Sequence, residues 1–245
     1  MITSSAPTNN VSPRPYSCDL QVLRRHCKSL PTMVLHPIHI AARDGKEKEL
    51  DRLLHAEPHL MELRTDERMS LTYAHEVDQG CTCLIIASAQ NHVSMVSWLL
   101  GQGADVHAQD RLGRTAFFYA CKFIGSVAIL RLLINAGADP NHPETDGAGG
   151  VTPLVEAIRR ENVEIIQWLL NLKTINLEQG ARRSLVSTPL WLALSYGSSD
   201  MVRSLLQAGA DPRSHFYHLP TAPAAGSPFE LLKVSQILKG RRTVG

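Results

Sequence analysis

The feature that most constrains this chain is that it repeats itself. Thr82-Cys83-Leu84-Ile85-Ile86-Ala87, Thr115-Ala116-Phe117-Phe118-Tyr119-Ala120, Thr152-Pro153-Leu154-Val155-Glu156-Ala157 and Thr188-Pro189-Leu190-Trp191-Leu192-Ala193 align with one another, and His36-Pro37-Ile38-His39-Ile40-Ala41-Ala42 is a looser, earlier copy. Successive motif threonines lie 33, 37 and 36 residues apart, and 46 residues separate His36 from Thr82, so a unit of 33 carries insertions. A period of this length marks a chain of small modules, none of which can bury its apolar face without a neighbour.

Within each unit the pattern predicts two helices. A threonine, or a proline in the first turn, opens the first one. Small alanines follow, which let a neighbouring helix approach closely. The first helix should end at Gly45, Asn91, Gly125 or Gly197, residue types that tolerate a left-handed cap, whereas the fourth unit carries Glu161 there. Apolar residues at helical spacing define the second helices: Val93, Val96, Leu99 and Leu100; Val127, Leu130, Leu133 and Ile134; Val163, Ile166, Leu169 and Leu170; Met201, Val202, Leu205 and Leu206. Trp98 and Trp168 share one repeat position, where they should pack between adjacent second helices. Three units then run into Gly-Ala-Asp, at 103–105, 137–139 and 209–211, and Asp110-Arg111-Leu112-Gly113 should form a hairpin tip between units.

These residues resemble the ankyrin-repeat family, over roughly residues 36–212. The resemblance implies an all-α fold, a solenoid of stacked helix-turn-helix units with short β-hairpin fingers. The expected repeats lie near 36–64, 78–109, 110–142, 147–179 and 184–213, within a repeat domain at 36–226. A disordered tail is expected at 1–16, a helical cap at 17–35, and a degenerate capping helix with a basic tail at 227–245. The family's signature histidine, which ties adjacent loops, survives only as His39, so those ties should be missing later in the array. The insertion at 65–77 reads as a solvated loop or a binding finger.

Charge and cysteine content exclude several functions. The formal net charge is +2, which gives no general pull toward nucleic acid or membrane, and no apolar run is long enough to span a bilayer. The five cysteines are irregularly spaced and no secretory leader is legible, so they read as reduced thiols in the cytoplasm or the nucleus. Cys81-x-Cys83 lacks the second pair that a structural zinc needs, and reads as a small apolar filler, Cys83, beside an exposed thiol. His36 with His39 and His55 with His59 are explained by the repeat motif and by a helix ending at Pro58. No nucleophile elbow or phosphate-cradling loop is legible. A catalytic residue, a metal, a cofactor and a small-molecule substrate are therefore not expected.

What remains is a binding surface. In the family it resembles, hairpin tips and the inner face of the first helices make most contacts. Counting from the motif threonine places Gln79, Gln90, Gln109, Arg111, Leu112, Arg114, Lys122, Phe123, Arg159, Arg160, Ser195 and Tyr196 there. Five are basic and none is acidic, with Leu112, Phe123 and Tyr196 as apolar anchors. The face is either a groove for an acidic, partly apolar peptide or protein surface, or a solvated basic face. The resemblance also implies a hydroxylation position in the Gly-Ala-Asp turn, at Asn141 and less typically His107. The chain is expected to be a monomeric scaffold or adaptor. The alternative is a substrate-receptor subunit of a ubiquitin ligase or other enzyme complex. Circular dichroism should be helix-dominated; a strand-rich spectrum would contradict the fold.

Overall fold

The computed structural model describes residues 36–65, 69–70, 76–77, 79–123, 126–145, 150–179, 188–196 and 198–212. The terminal segments expected at 1–16, 17–35 and 227–245, the caps at Gly125 and Gly197, and the loop residues 180–187 lie outside the described residues.

Among the described residues, ten α-helices come in five pairs: α1 (Pro37–Asp44) and α2 (Glu47–Ala56), α3 (Cys83–Ala89) and α4 (Val93–Gly101), α5 (Ala116–Lys122) and α6 (Val127–Asn135), α7 (Pro153–Arg159) and α8 (Val163–Leu170), and α9 (Pro189–Ser195) and α10 (Ser199–Ala208). A 3-10 turn (Pro58–Glu62) follows α2. The first helices stack in sequence as α1, α3, α5, α7 and α9, and α4, α6, α8 and α10 form a parallel second row. This is the all-α repeat stack that the periodicity implies.

The helix starts follow from the motif. Hydroxyls of Thr115, Thr152 and Thr188 accept hydrogen bonds from the amides of Phe118, Val155 and Trp191, at 3.4, 3.4 and 3.3 Å. Each satisfies a donor that the helix itself cannot. Thr82 makes no such cap, and its buried hydroxyl has no partner among the described residues. At the turn into the second helix the backbone is left-handed at Gly45, Asn91 and Glu161, with φ of 68°, 61° and 54°. Glu161 therefore holds a conformation that disfavours a Cβ by about 1 kcal/mol.

Apolar side chains of both rows form one continuous core. Ile85, Phe117, Leu154 and Ala193 contribute from the first helices, and Leu99, Leu133, Leu169 and Leu205 from the second. Met95, Ile129 and Ile165 are also fully buried, although the spacing argument omitted them, whereas Val163 is 59% exposed at the start of α8. Trp98 and Trp168 pack against the core from partly buried positions. Cys81 is fully buried like Cys83, which corrects the expectation of an exposed thiol. Its amide donates to Thr65 Oγ1 at 3.0 Å, so the cysteine is drawn under the loop. The insertion at 65–77 is not a plain loop. It contains two short antiparallel strands, β1 (Met69–Ser70) and β2 (Glu76–Val77), with Met69 opposite Val77.

Within the first repeat the signature histidine, His39, donates through Nε2 to the Leu63 carbonyl at 2.9 Å. Between repeats other side chains make the ties: Glu62 accepts from the Asp105 amide at 2.9 Å, Glu178 accepts from the Asp211 amide at 2.8 Å, and His92 Nε2 donates to the Arg43 carbonyl at 2.9 Å. Successive hairpin tips also meet, through Arg111 N to the Gln79 carbonyl (3.0 Å) and Thr145 N to the Leu112 carbonyl (2.7 Å). Gly113, with φ of 75°, is required at the tip, because a Cβ would lie 2.1 Å from Thr145 Oγ1.

Asp110 organises this tip. It is buried, and its Oδ1 accepts from the amides of Leu112 (2.9 Å) and Arg114 (2.8 Å), while Oδ2 accepts from the Tyr119 hydroxyl (2.7 Å). Asp110→Ala strands three donors and should cost about 1–3 kcal/mol in chemical denaturation. Asp110→Asn should cost less, because its remaining oxygen still accepts from the backbone. Equal costs would contradict this role.

Candidate functional site

The concave side of the stack carries a cavity of about 340 Å³, lined by Arg114, Phe118, Lys122, Glu144, Glu156, Arg159, Arg160 and Tyr196. Three successive repeats contribute. The hairpin after α4 supplies Arg114, α5 supplies Phe118 and Lys122, the next hairpin supplies Glu144, α7 and its C-cap supply Glu156, Arg159 and Arg160, and Tyr196 caps α9.

The cations are held in place. Arg114 Nε lies 2.7 Å from Glu144 Oε2, with both side chains nearly buried. Its guanidinium stands over the Phe118 ring, 5.6 Å from the centroid. Burial opposes the charge on Arg114, but the hydrogen bonds with Glu144 and Tyr119 more than offset it and hold its pKa above the ordinary range. Lys122 Nζ sits over Tyr119 (5.6 Å) and Phe123 (5.3 Å), whose own rings stack at 5.9 Å. On α7, Glu156 Oε1 accepts from Arg160 Nε at 3.0 Å, and its Oε2 lies 3.7 Å from Arg159 Nη1. Glu156 is buried, whereas Arg159, Arg160 and Tyr196 are exposed.

Of the residues expected on this face, Arg114, Lys122, Arg159, Arg160 and Tyr196 meet in the cavity. Gln79, Gln109, Arg111 and Leu112 lie at the hairpins outside it, where Arg111 bonds to the Gln79 side chain and Gln109 bridges Thr115. Gln90 caps α3, away from the cavity. Phe123 is 7% exposed and packed against Tyr119, so it is core rather than an exposed anchor. Asn141 uses both side-chain atoms to tie the next loop, donating to the Thr174 carbonyl (2.8 Å) and accepting from the Asn176 amide (2.7 Å). His107 is exposed beside a small gap lined by Asp139 and His142. Among the described residues, no group of three or more His, Cys, Asp or Glu side chains could hold a metal ion.

The face is not purely basic. Sequence phase missed Phe118, Glu144 and Glu156, and both carboxylates had a signal. Glu156 occupies the repeat position of Ile86, Tyr119 and Leu192, a carboxylate in an otherwise buried column with arginines three and four residues on. Glu144 pairs across its hairpin with Val151 as Asp110 does with Arg114, through amide-to-carbonyl bonds of 3.0 Å in both cases. The insertion before Thr152 displaced it from the count.

A family model for ankyrin repeats matches residues 38–144 and 142–215, which together make up most of the chain. The chain belongs to the ankyrin-repeat family. The ankyrin repeat and KH domain-containing protein of Caenorhabditis briggsae is 36% identical over 135 residues, covering 53% of this chain and 5% of that protein. The mitochondrial disaggregase of Bos taurus is 30% identical over 169 residues, covering 67% of this chain and 24% of that protein. The chain thus spans a small part of the length of these relatives. Among solved structures, the ankyrin repeat domain of Bcl-3, a member of the IkappaB family, superposes with a TM-score of 0.64 at 25% identity, covering 83% of this chain and 85% of that domain. Ankyrin repeats are protein–protein interaction modules, and among the described residues no helix is long and apolar enough to cross a membrane.

The buried thiols give this ankyrin stack a pH dependence. Burial, aided by the Glu62 charge, pushes Cys83 up to about 12, and burial followed by the Glu156 charge pushes Cys121 up as well. In the unfolded chain a thiol ionises near 9.0. The two thiols therefore contribute full stability below that value and lose it as pH rises toward 12. Denaturation midpoints measured from pH 8 to about 11 should fall more steeply for the native chain than for a Cys83→Ala, Cys121→Ala variant. Identical slopes would contradict the assignment.

Proposed function

We propose that this ankyrin-repeat protein is a non-catalytic adaptor that binds a protein partner through the concave cavity, and that the partner presents acidic groups beside an apolar side chain. The observation that carries this reading is the composition of the cavity. Four cations face two carboxylates, which leaves a net charge of +2, and Phe118 and Tyr196 add aromatic surface. Arginine and aromatic side chains in a concavity are the residue types that dominate binding energy, and the residual charge favours acidic partners in rate and specificity.

The pairing found in the structure narrows the basis of that charge. Arg114 is committed to Glu144, so the outward charge falls to Arg159 and Arg160 with Lys122 beside them. Recruitment through partner contacts needs no cofactor. The sequence has no phosphate-cradling loop, and Gly147-Ala148-Gly149-Gly150 lacks the lysine such a loop requires. Among the described residues, the buried thiols of Cys83 and Cys121 suit a reducing compartment, cytoplasmic or nuclear.

The test is capture of partners from extract by the native chain and by Arg159→Glu, Arg160→Glu, at two salt concentrations. Both variant positions are exposed, but the change removes both ion-pair partners of buried Glu156, so melting temperature should fall and capture is compared at a temperature where both chains are folded. A partner bound by the native chain should weaken at least tenfold with the variant and at high salt. A partner that binds both chains equally would place the interface elsewhere.

A further inference from the structure

Glu156 is the least economical residue in the core. The equivalent first-helix positions hold Ile86, Tyr119 and Leu192, all buried, so an apolar or aromatic side chain fits this column. Its side chain is only 8% exposed. Burying a carboxylate is costly, and a buried ion pair gains little over a well-packed apolar residue of similar volume. Stability therefore does not explain why this repeat departs from the other three.

Geometry supplies another explanation. Glu156 sits beneath Arg159 and Arg160, 3.7 and 3.0 Å from their guanidinium nitrogens. One buried carboxylate thus accepts a hydrogen bond from Arg160 and forms an ion pair with Arg159, which holds two exposed guanidinium groups at the mouth of the same cavity with N–H groups left for a ligand. Ordering long side chains in advance removes part of the entropy that binding would otherwise cost. Paired guanidinium forks match the three oxygens of a phosphoryl group, which accept bidentate bonds in a fixed plane. The net charge of +2 in the cavity matches a phosphate dianion better than a single carboxylate. The walls suit the rest of the ligand: a volume of about 340 Å³ accommodates one side chain, with Tyr196 on the adjacent repeat as an apolar flank.

We infer that the cavity is a subsite for a phosphorylated side chain of the partner, with Arg159 and Arg160 as its direct ligands and Glu156 as the residue that positions them. This rests on the concave-groove reading above and names the chemistry it recognises. Glu156 never meets the phosphate, so it must act through the two arginines.

Three oriented peptide libraries test it: one with a fixed central phosphoserine, one with a fixed glutamate and one with a fixed serine, all otherwise degenerate. Binding is read by fluorescence polarisation against the native chain, Glu156→Leu, and Arg159→Ala with Arg160→Ala. The phosphoserine library should bind at least tenfold more tightly than the glutamate library. Glu156→Leu should lose at least fivefold in phosphoserine affinity while its melting temperature stays the same or rises. Loss of affinity with an equal fall in melting temperature would make Glu156 a structural residue and overturn its positioning role, and the melting temperature of the double arginine variant controls for folding. Equal binding of the phosphoserine and glutamate libraries would overturn the phosphate subsite and leave the acidic-partner reading intact. Binding to none of the three, or binding indifferent to both variants, would overturn the subsite and the groove reading together.

Discussion

A pair of helices seven to ten residues long cannot bury enough apolar surface to fold alone, and everything in this molecule follows from that limit. Each repeat lends one face to the repeat before it and one to the repeat after. Ala87, Ala120, Ala157 and Ala193 are fully buried in the first helices, where a small side chain allows the row to pack closely. The outer row is built from larger aliphatics such as Leu99, Leu133, Leu169 and Leu205.

Polar side chains then set the distance between repeats. Glu62, Glu178 and Asn141 bond backbone groups in a neighbouring loop, and Asp110 joins its hairpin tip to the helix that follows. The family histidine is one solution to this problem. Acidic and amide side chains are another, because a loop amide needs only an acceptor within reach. Losing the histidine therefore did not leave the array untied.

The repeat phase made the fold legible: the threonine caps, the left-handed turns at Gly45 and Asn91, and the hairpin tip at Asp110-Arg111-Leu112-Gly113 all fall where the period places them. Side-chain depth was less legible. Phe123 follows a first helix and reads as a groove residue, yet the Tyr119 ring draws it into the core. Cys81 precedes the helix and reads as exposed, yet the loop at Thr65 closes over it. The hidden part of the site was its acidic component. Counting from Thr152 through an insertion lost Glu144, and Glu156 was masked by its membership of the motif, although a carboxylate among Ile86, Tyr119 and Leu192 is the clearest anomaly in the repeat alignment.

Among the described residues, two openings on this stack differ in character. The concave cavity is lined by charge and aromatic rings, and a larger, shallower one of about 780 Å³ lies between α4 and α6 on the second row, near His92, Ser97, Arg131 and Asn135. Hydrogen–deuterium exchange of the chain with and without a bound partner separates them most directly. Binding in the groove should slow exchange in residues 153–160 and 189–196 and at the hairpin around 110–114, and leave α4 and α6 unchanged. Protection confined to α4 and α6 would contradict a concave binding site.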